Sequence, residues 1–191
     1  MSKLETNQVD PSTGTTLTLG TSGDTITIPS GVTIANSGTA TGFGANTPAF
    51  AAYGSNSGQT LSDNTDTKVE FGTEVYDTDS AFASNKFTVP SGKAGKYFFN
   101  VNLFFEGRGE NDYRRFQASF RKNGGGLSLP SSLQLVRENY SNVMRANGVS
   151  FSIILDLAVS DYVEVYALQD NNADASRQLE QAYFQGYKII T

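Results

Sequence analysis

The stretch GKYFFNVNLFFEG at residues 95–107 alternates strictly between two sets of positions. One set is apolar and large: Tyr97, Phe99, Val101, Leu103 and Phe105. Asn100 and Asn102 belong to the other set. Because successive side chains of a strand point to opposite faces of a sheet, this pattern predicts a half-buried β-strand.

Further strands are predicted on both sides of this stretch, each bounded by turn residues such as Ser-Gly, Asn-Gly and Ser-Asp. They cover residues 49–55, 67–75, 86–90, 96–105, 114–122, 133–138, 149–158, 162–169 and 183–190. No window shows a helical period. The pattern predicts an all-β sandwich of the jelly-roll type, in which the alternating apolar residues line the inner faces of two sheets.

The composition limits the chemistry that the chain can perform. In 191 residues there is no Cys and no His, and the net charge is −5. The missing histidine removes the commonest general base, the usual partner of a catalytic serine and the commonest zinc ligand. An acidic chain repels phosphate backbones. We therefore expect neither an enzyme nor a nucleic-acid-binding protein.

The first residues, MSKLETNQVDPSTG, lack the apolar stretch of a secretory leader. The longest apolar runs fall short of the roughly 18–20 residues needed to span a bilayer. The sequence predicts no membrane insertion and release by a route other than secretion, such as lysis.

Residues 1–46 differ in composition from the rest, and residues 47–191 are predicted to form the globular head. The stretch TLTLGTSGDTITIPSGVTI contains six alternating aliphatic residues separated by Gly, Ser and Asp turns: Leu17, Leu19, Ile26, Ile28, Val32 and Ile34. One interpretation is a flexible linker rich in Gly, Ser and Thr. The favoured one is a short β-rich stem in which three chains wrap together, since six aliphatic residues cannot form a core in one chain.

The spacing of aromatic residues and glycine in the head resembles the globular head of the complement-1q family, within the tumour-necrosis-factor-like jelly-roll superfamily. The matching residues are Phe71, Asp77, Phe82, Gly95, Tyr97 and Phe99, while Val89 and Val101 stand where aromatic residues are usual. The resemblance implies a homotrimeric binding head. It says little about the ligand, because the family binds many unrelated partners.

The N-terminal region resembles stems of structural proteins from tailed bacteriophages. The predicted function is therefore a virion structural protein, a trimeric fibre or appendage whose stem binds other virion proteins. Its head would contact a host surface glycan or protein through three weak sites that act together. The alternatives are a capsid decoration protein or head fibre, and a cellular oligomeric adhesion protein.

A local basic and aromatic cluster is the candidate surface-binding site. Its members are Arg108, Tyr113, Arg114 and Arg115, with Arg121 nearby. Guanidinium groups and a stacking tyrosine would suit an anionic or sugar-bearing polymer. The alternative is ion pairing with Glu106, Glu110 and Asp112 of the same loop.

Several apolar side chains fall on positions that point away from the predicted core. These candidates for a trimer interface are Phe98, Phe104, Tyr162, Tyr166 and Leu168. Exposed in one chain, they would form an apolar patch, which packing around a threefold axis would cover.

Carboxylates offer two weaker interpretations. Glu74 with Asp77, or Asp77 with Asp79, could serve glycoside hydrolysis as a pair. The same carboxylates could bind calcium when repeated around a threefold axis. Turn formation explains them more simply. Asp170, Asn172 and Asp174 alternate as in a calcium-binding loop, but Ala175 occupies the place of the required glycine, so a solvated loop is favoured.

Overall fold

The computed structural model describes residues 9–38, 46–54, 58–106, 113–127, 134–138 and 146–189. The chain divides into two compact units, Met1–Phe43 and Gly44–Thr191. Thirteen strands occur among the described residues, all in the second unit.

These strands form two antiparallel sheets. Sheet 1 has the order β11-β7-β13-β1-β4, with β2 also paired to β13. Its strands are β1 (Ala49–Tyr53), β2 (Gln59–Leu61), β4 (Thr73–Asp77), β7 (Gly95–Glu106), β11 (Ala146–Leu157) and β13 (Arg177–Lys188). Sheet 2 has the order β10-β8-β12-β6-β5, with β3 paired to β12 and β9 to β8. Its strands are β3 (Thr67–Lys68), β5 (Phe82–Ala83), β6 (Lys86–Thr88), β8 (Tyr113–Lys122), β9 (Gly125–Gly126), β10 (Gln134–Glu138) and β12 (Tyr162–Asn171).

The core lies between the two sheets and is rich in aromatic rings. The alternating residues of β7 are 0–2% exposed, as predicted. They meet buried residues of β8 and β12, which include Phe116, Phe120, Val163 and Val165. Gly186 on β13 is required by this packing, since an added Cβ would lie 2.5 Å from the Phe99 ring. The prediction of an all-β sandwich is confirmed.

The strand predicted over residues 67–75 is wrong in one respect. The chain forms β3 in sheet 2 and then β4 in sheet 1, so it crosses between the sheets. Val69 and Phe71 lie buried at the crossing, and the Phe71 amide donates a hydrogen bond to Asn85 Oδ1 (2.8 Å). A crossing segment buries alternate residues much as a strand does, so the sequence pattern does not distinguish the two.

The first unit is described over residues 9–38, and none of these residues lies in a strand. Two turns are present where predicted, closed by hydrogen bonds from Asp24 N to Thr21 O (3.0 Å) and from Val32 N to Pro29 O (3.2 Å). All six aliphatic residues are 43–65% exposed. The predicted strands are thus not formed within one chain, because six aliphatic residues leave too little to bury against one another.

Candidate functional site: the two outer faces of the sandwich

The outer face of sheet 1 consists of neutral residues over most of its area. Directly opposite residues in antiparallel strands share a face, so the pairing assigns these positions. They are Gly148, Ser150, Ser152 and Ile154 on β11; Phe98, Asn100, Asn102 and Phe104 on β7; Gln181, Tyr183, Gln185 and Tyr187 on β13; and Ala49, Ala51 and Tyr53 on β1. None of these residues is charged.

Three apolar side chains lie side by side near the end of this face where β1 begins, and beyond them Lys96 stands opposite Asp156. Ile154, Phe98 and Tyr187 are neighbours across β11, β7 and β13. Ile154 is 56% exposed and Tyr187 39%, and the rings of Phe98 and Tyr187 lie 5.3 Å apart. We call these three residues the apolar row. The position predicted for Phe98, outside the core, is confirmed.

The middle of the face carries a chain of hydrogen bonds between uncharged groups. Ser150 Oγ donates to Asn102 Oδ1 (2.5 Å), and Asn102 Nδ2 donates to Asn100 Oδ1 (2.9 Å). Asn100 Nδ2 in turn donates to the carbonyl oxygen of Phe151 (3.2 Å). These amides are therefore held in fixed orientations on the sheet.

A cavity of about 300 Å³ opens at the other end of the same face. Tyr53, Phe104 and Tyr183 contribute its aromatic walls, and Asn102 and Gln181 its amide groups. Phe104 thus lies on the outer face, as predicted, but it lines a cavity.

The outer face of sheet 2 carries aromatic rings covered by cations of the same chain. Lys86 Nζ lies 4.3 Å from the centre of the Tyr162 ring, and the Arg121 guanidinium 3.6 Å from that of Tyr166. Arg121 also forms an ion pair with Asp66. Leu168 is 8% exposed.

Tyr162, Tyr166 and Leu168 thus lie on the outer face of sheet 2, whereas Phe98 and Phe104 lie on that of sheet 1, so the two sets do not form one patch within a chain. Their participation in a trimer interface stays a prediction. Strands distant in sequence supply Lys86 and Arg121, which is why the local pattern gave no sign of this cover.

A carboxylate at the centre of the sheet 2 face forms an ion pair with a lysine from β3. Glu164 is 7% exposed, and its Oε1 lies 2.6 Å from Lys68 Nζ. In the register it stands opposite Lys86 on one side and Arg121 on the other. The register thus places a cationic residue on each side of this carboxylate.

The proposed basic binding cluster is engaged within the chain. Arg114 and Arg115 both contact Asp170, at 2.6 and 3.7 Å. Arg115 also donates to Asn64 Oδ1 (2.6 Å). The carboxylate that joins the two arginines comes from β12. Arg108, Glu110 and Asp112 lie outside the described residues.

The prediction that Tyr113 is a surface stacking platform is wrong. Its side chain is fully buried, and its ring centre lies 4.3 Å from that of Phe116. Tyr113 is the first residue of β8, where the pairing with β12 is irregular: Asp170 stands opposite Arg115 but Asn171 opposite Tyr113. This irregularity lets Tyr113 share the core side with Phe116 at a spacing of three residues. The sequence did not show where this strand begins.

The carboxylates considered for catalysis or calcium have structural contacts. Asp77 accepts hydrogen bonds from the amides of Ala81 (3.0 Å) and Phe82 (2.8 Å), so the turn-forming interpretation is confirmed for this residue. Asp79 forms an ion pair with Lys93 (3.3 Å). Among the described residues, no group of three or more acidic side chains is placed to hold a metal ion. A calcium ion shared by three copies stays a prediction.

Two other ionisable groups have shifted pKa values for structural reasons. Burial, with a contribution from the charge of Asp79, raises the pKa of Tyr97 to about 12. Hydrogen bonds from Lys122, Asn123 and the Ala158 amide lower the pKa of Asp161 to about 2. Asp161 lies in the turn between β11 and β12.

No helix long and apolar enough to cross a bilayer occurs in the described parts of the chain. No family model matches the sequence, and no curated protein matches it.

Solved structures do resemble the head. The globular domain of the zebrafish complement 1qA protein superposes with a TM-score of 0.54 at 20% sequence identity, covering 75% of this chain and 97% of that one. The structure of the Eiger TNF from S. frugiperda gives a TM-score of 0.48 at 18% identity, covering 75% and 94%. At such identities the likeness to the complement protein shows the fold alone. The head has the jelly-roll fold of complement-1q globular domains.

Proposed function

We propose that this protein is a homotrimeric, non-enzymatic structural protein of a tailed-bacteriophage virion, a fibre or appendage whose head contacts the host surface. The fold, which is that of a complement-1q globular domain, supports the proposal that the second unit is a binding head. The likeness of the N-terminal Thr/Gly-rich segment to phage stems supports the virion location.

The observation that supports a trimeric state is the contrast between the two outer faces. Sheet 2 covers its aromatic rings with its own lysine and arginine side chains. Sheet 1 leaves the apolar row at its surface, with Ile154 56% exposed. A second and third copy packed on this row would remove it from water, and the three residues of the row carry no charge that would have to be desolvated.

The N-terminal unit supports the same arrangement. Its aliphatic residues alternate along extended segments yet are exposed in one chain. Three chains side by side would supply both the strand partners and the apolar surface that a single chain lacks. Gly20, Gly23 and Gly31, with φ between +81° and +98°, allow the tight turns between these segments.

Sedimentation equilibrium of the full chain at micromolar concentration tests the trimer. The expected mass is three times that of one chain. A monomer under these conditions contradicts the proposal.

The stem is tested by comparing Ile28→Asn with Thr27→Asn. The two positions are adjacent but belong to opposite alternation sets, so only the first is expected to face the other chains. We expect Ile28→Asn alone to make residues 9–38 sensitive to a protease. Equal sensitivity of both variants and the wild type contradicts a wrapped stem.

The virion location requires a separate measurement. Antibody labelling of purified phage particles, viewed by electron microscopy, is expected to mark tail appendages. Labelling of the capsid would favour the decoration or head-fibre alternative. No labelling of any particle would favour the cellular adhesion alternative.

A further inference from the structure

A second cluster of exposed apolar side chains lies on sheet 1, at the edge of the sheet formed by β4. Val75 and Tyr76 on β4 are 58% and 46% exposed, and Tyr53 on β1 is 38% exposed. Tyr76 stands opposite Ala51, two residues along β1 from Tyr53, and Val75 occupies a bulge between paired residues. We call Tyr53, Val75 and Tyr76 the β4 patch.

The β4 patch is the one apolar counterpart of the apolar row in the described part of the head. The two sets together include every large apolar side chain that is exposed there except Val159. Val159 stands alone, in the turn between β11 and β12. A copy that packs on the apolar row through apolar contacts therefore has one surface to offer.

We propose that the β4 patch of each copy binds the apolar row of the next copy in the trimer. The inference rests on the proposed function and names the partner surface of the row. In a closed ring of three, each contact joins two different surfaces, because only a twofold axis brings a surface against its own equivalent. A trimer therefore needs a second surface besides the row, and the β4 patch supplies it.

The two surfaces cannot cover each other within one chain. The order of sheet 1 is β11-β7-β13-β1-β4, so Ile154 on β11 and Tyr76 on β4 lie on opposite edge strands. Four strand spacings separate these edges, which corresponds to about 19 Å. Because Ile154 and Tyr76 lie on the same face, their side chains also point in the same direction. Only another copy can bring such a pair into contact.

The same contact protects both open edges of the sheet. Among the described strands of sheet 1, β11 and β4 each have a single neighbour, so one side of each backbone lacks a partner strand. Proteins usually cover such edges, because they would otherwise pair with other chains. A twofold contact of row against row would leave the β4 patch in water. A ring that joins the β11 side of one copy to the β4 side of the next covers both.

The side chains of the two surfaces suit such a contact. Ile154 and Phe98 offer an aliphatic and an aromatic group without any polar atom. Tyr53 and Tyr76 offer rings that pack on apolar groups while their hydroxyl groups stay hydrated at a polar rim. Neither surface contains a charged side chain that would have to leave water.

Cross-linking between introduced cysteines tests the contact with the full chain, which has no cysteine of its own. The double variant Ser152→Cys with Thr73→Cys places one thiol beside the row and one beside the patch. Ser152 lies two residues from Ile154 on β11, and Thr73 stands opposite Tyr53. Both residues are exposed, and their replacement leaves the apolar side chains in place.

The reagent is a bismaleimide whose reach is shorter than the separation of about 19 Å within one chain. Each thiol adds to one maleimide double bond, so a link between the two positions must join two copies. We expect a denaturing gel to show covalently linked trimers as the largest product. Ser152→Cys with Ser119→Cys is the matched control, since Ser119 stands opposite Tyr166 on the outer face of sheet 2. We expect this control to run as single chains.

Four results would overturn the proposal: no linked trimer in the first double variant, equal linkage in the control, linked dimers from Ser152→Cys alone, or products larger than a trimer. The third would indicate a twofold contact of row against row, and the fourth an open chain of copies.

Sedimentation of the same samples separates this inference from the proposed function. A trimer that gives no linked product refutes the pairing of row and patch alone. A monomer refutes the trimeric function itself.

Discussion

The two outer faces of this sandwich come from the same kind of sequence and yet have opposite characters. Both β7 and β12 place aromatic residues on outward positions. On β12 they lie beneath Lys86 and Arg121, whereas on β7 Phe98 belongs to an uncharged row that includes the exposed Ile154. The difference teaches that an outward aromatic residue indicates an interface only when its neighbours on adjacent strands leave it bare.

The largest expected effect comes from placing a charge in the apolar row. In the proposed trimer, Ile154→Asp would bury an unpaired carboxylate, so we expect the trimer to dissociate at least about 100-fold more readily. Sedimentation equilibrium measures this. Ser119→Asp places the same charge on the outer face of sheet 2 and should leave the mass unchanged. Dissociation of the trimer in both variants would contradict the proposal that only the outer face of sheet 1 forms the contact.

A smaller effect is expected at the centre of the sheet 2 face. Lys68→Met leaves the nearly buried Glu164 without its 2.6 Å partner, and we expect the free energy of unfolding to fall by about 2 kcal/mol, because a carboxylate taken from water needs a cation. Urea denaturation measures it. The double variant Lys68→Met with Glu164→Gln should recover part of the loss, as a double-mutant cycle detects. An equal loss in both variants would contradict a stabilising role for this charge pair.

Removing the cation that covers a single ring on sheet 2 should lower the free energy of unfolding by a smaller amount. In Arg121→Ala, Tyr166 loses its guanidinium cover and Asp66 its ion-pair partner. Because both contacts are partly open to solvent, we expect about 1 kcal/mol of lost stability. The variant should remain a trimer by sedimentation. The stability of Arg121→Lys should fall between that of the wild type and that of Arg121→Ala. A change of mass in Arg121→Ala would show that this face also takes part in assembly.

The smallest effect is expected at the turn between β11 and β12, which joins the two sheets. The pKa of Asp161 is about 2 in the folded chain, below its ordinary value of 3.8. Its ionised form therefore adds stability that is present above pH 3.8 and is lost as the pH falls towards 2. Asp161→Asn should remove this part of the pH dependence, as followed by urea denaturation between pH 2 and pH 5. An unchanged slope would contradict the assignment.

The fold was largely predictable from the sequence, and the candidate site was not. The alternation around Tyr97 and Phe99 reports directly on burial, because side chains in a strand alternate between faces. The crossing at Val69 was missed, since a buried residue gives the same signal in a strand as in a segment between sheets. The burial of Tyr113 was missed because the pairing of β8 with β12 is irregular there, which strict alternation does not anticipate. For Arg114 and Arg115 the decisive partner, Asp170, lies more than 50 residues away in the chain.

The cavity lay beyond sequence reasoning for a related reason. Tyr53, Asn102 and Tyr183 come from three strands that are neighbours only because β13 pairs with both β1 and β7. No local pattern joins them. The neutral character of the middle of this face is likewise visible only after the register has assigned each residue to a side.

The sequence by itself determined which residues of each long strand face the core, because burial follows the two-residue period of the backbone. The tertiary structure alone decided which outward residues are covered and which are bare, because that depends on the side chains that the order and register of the strands place beside them.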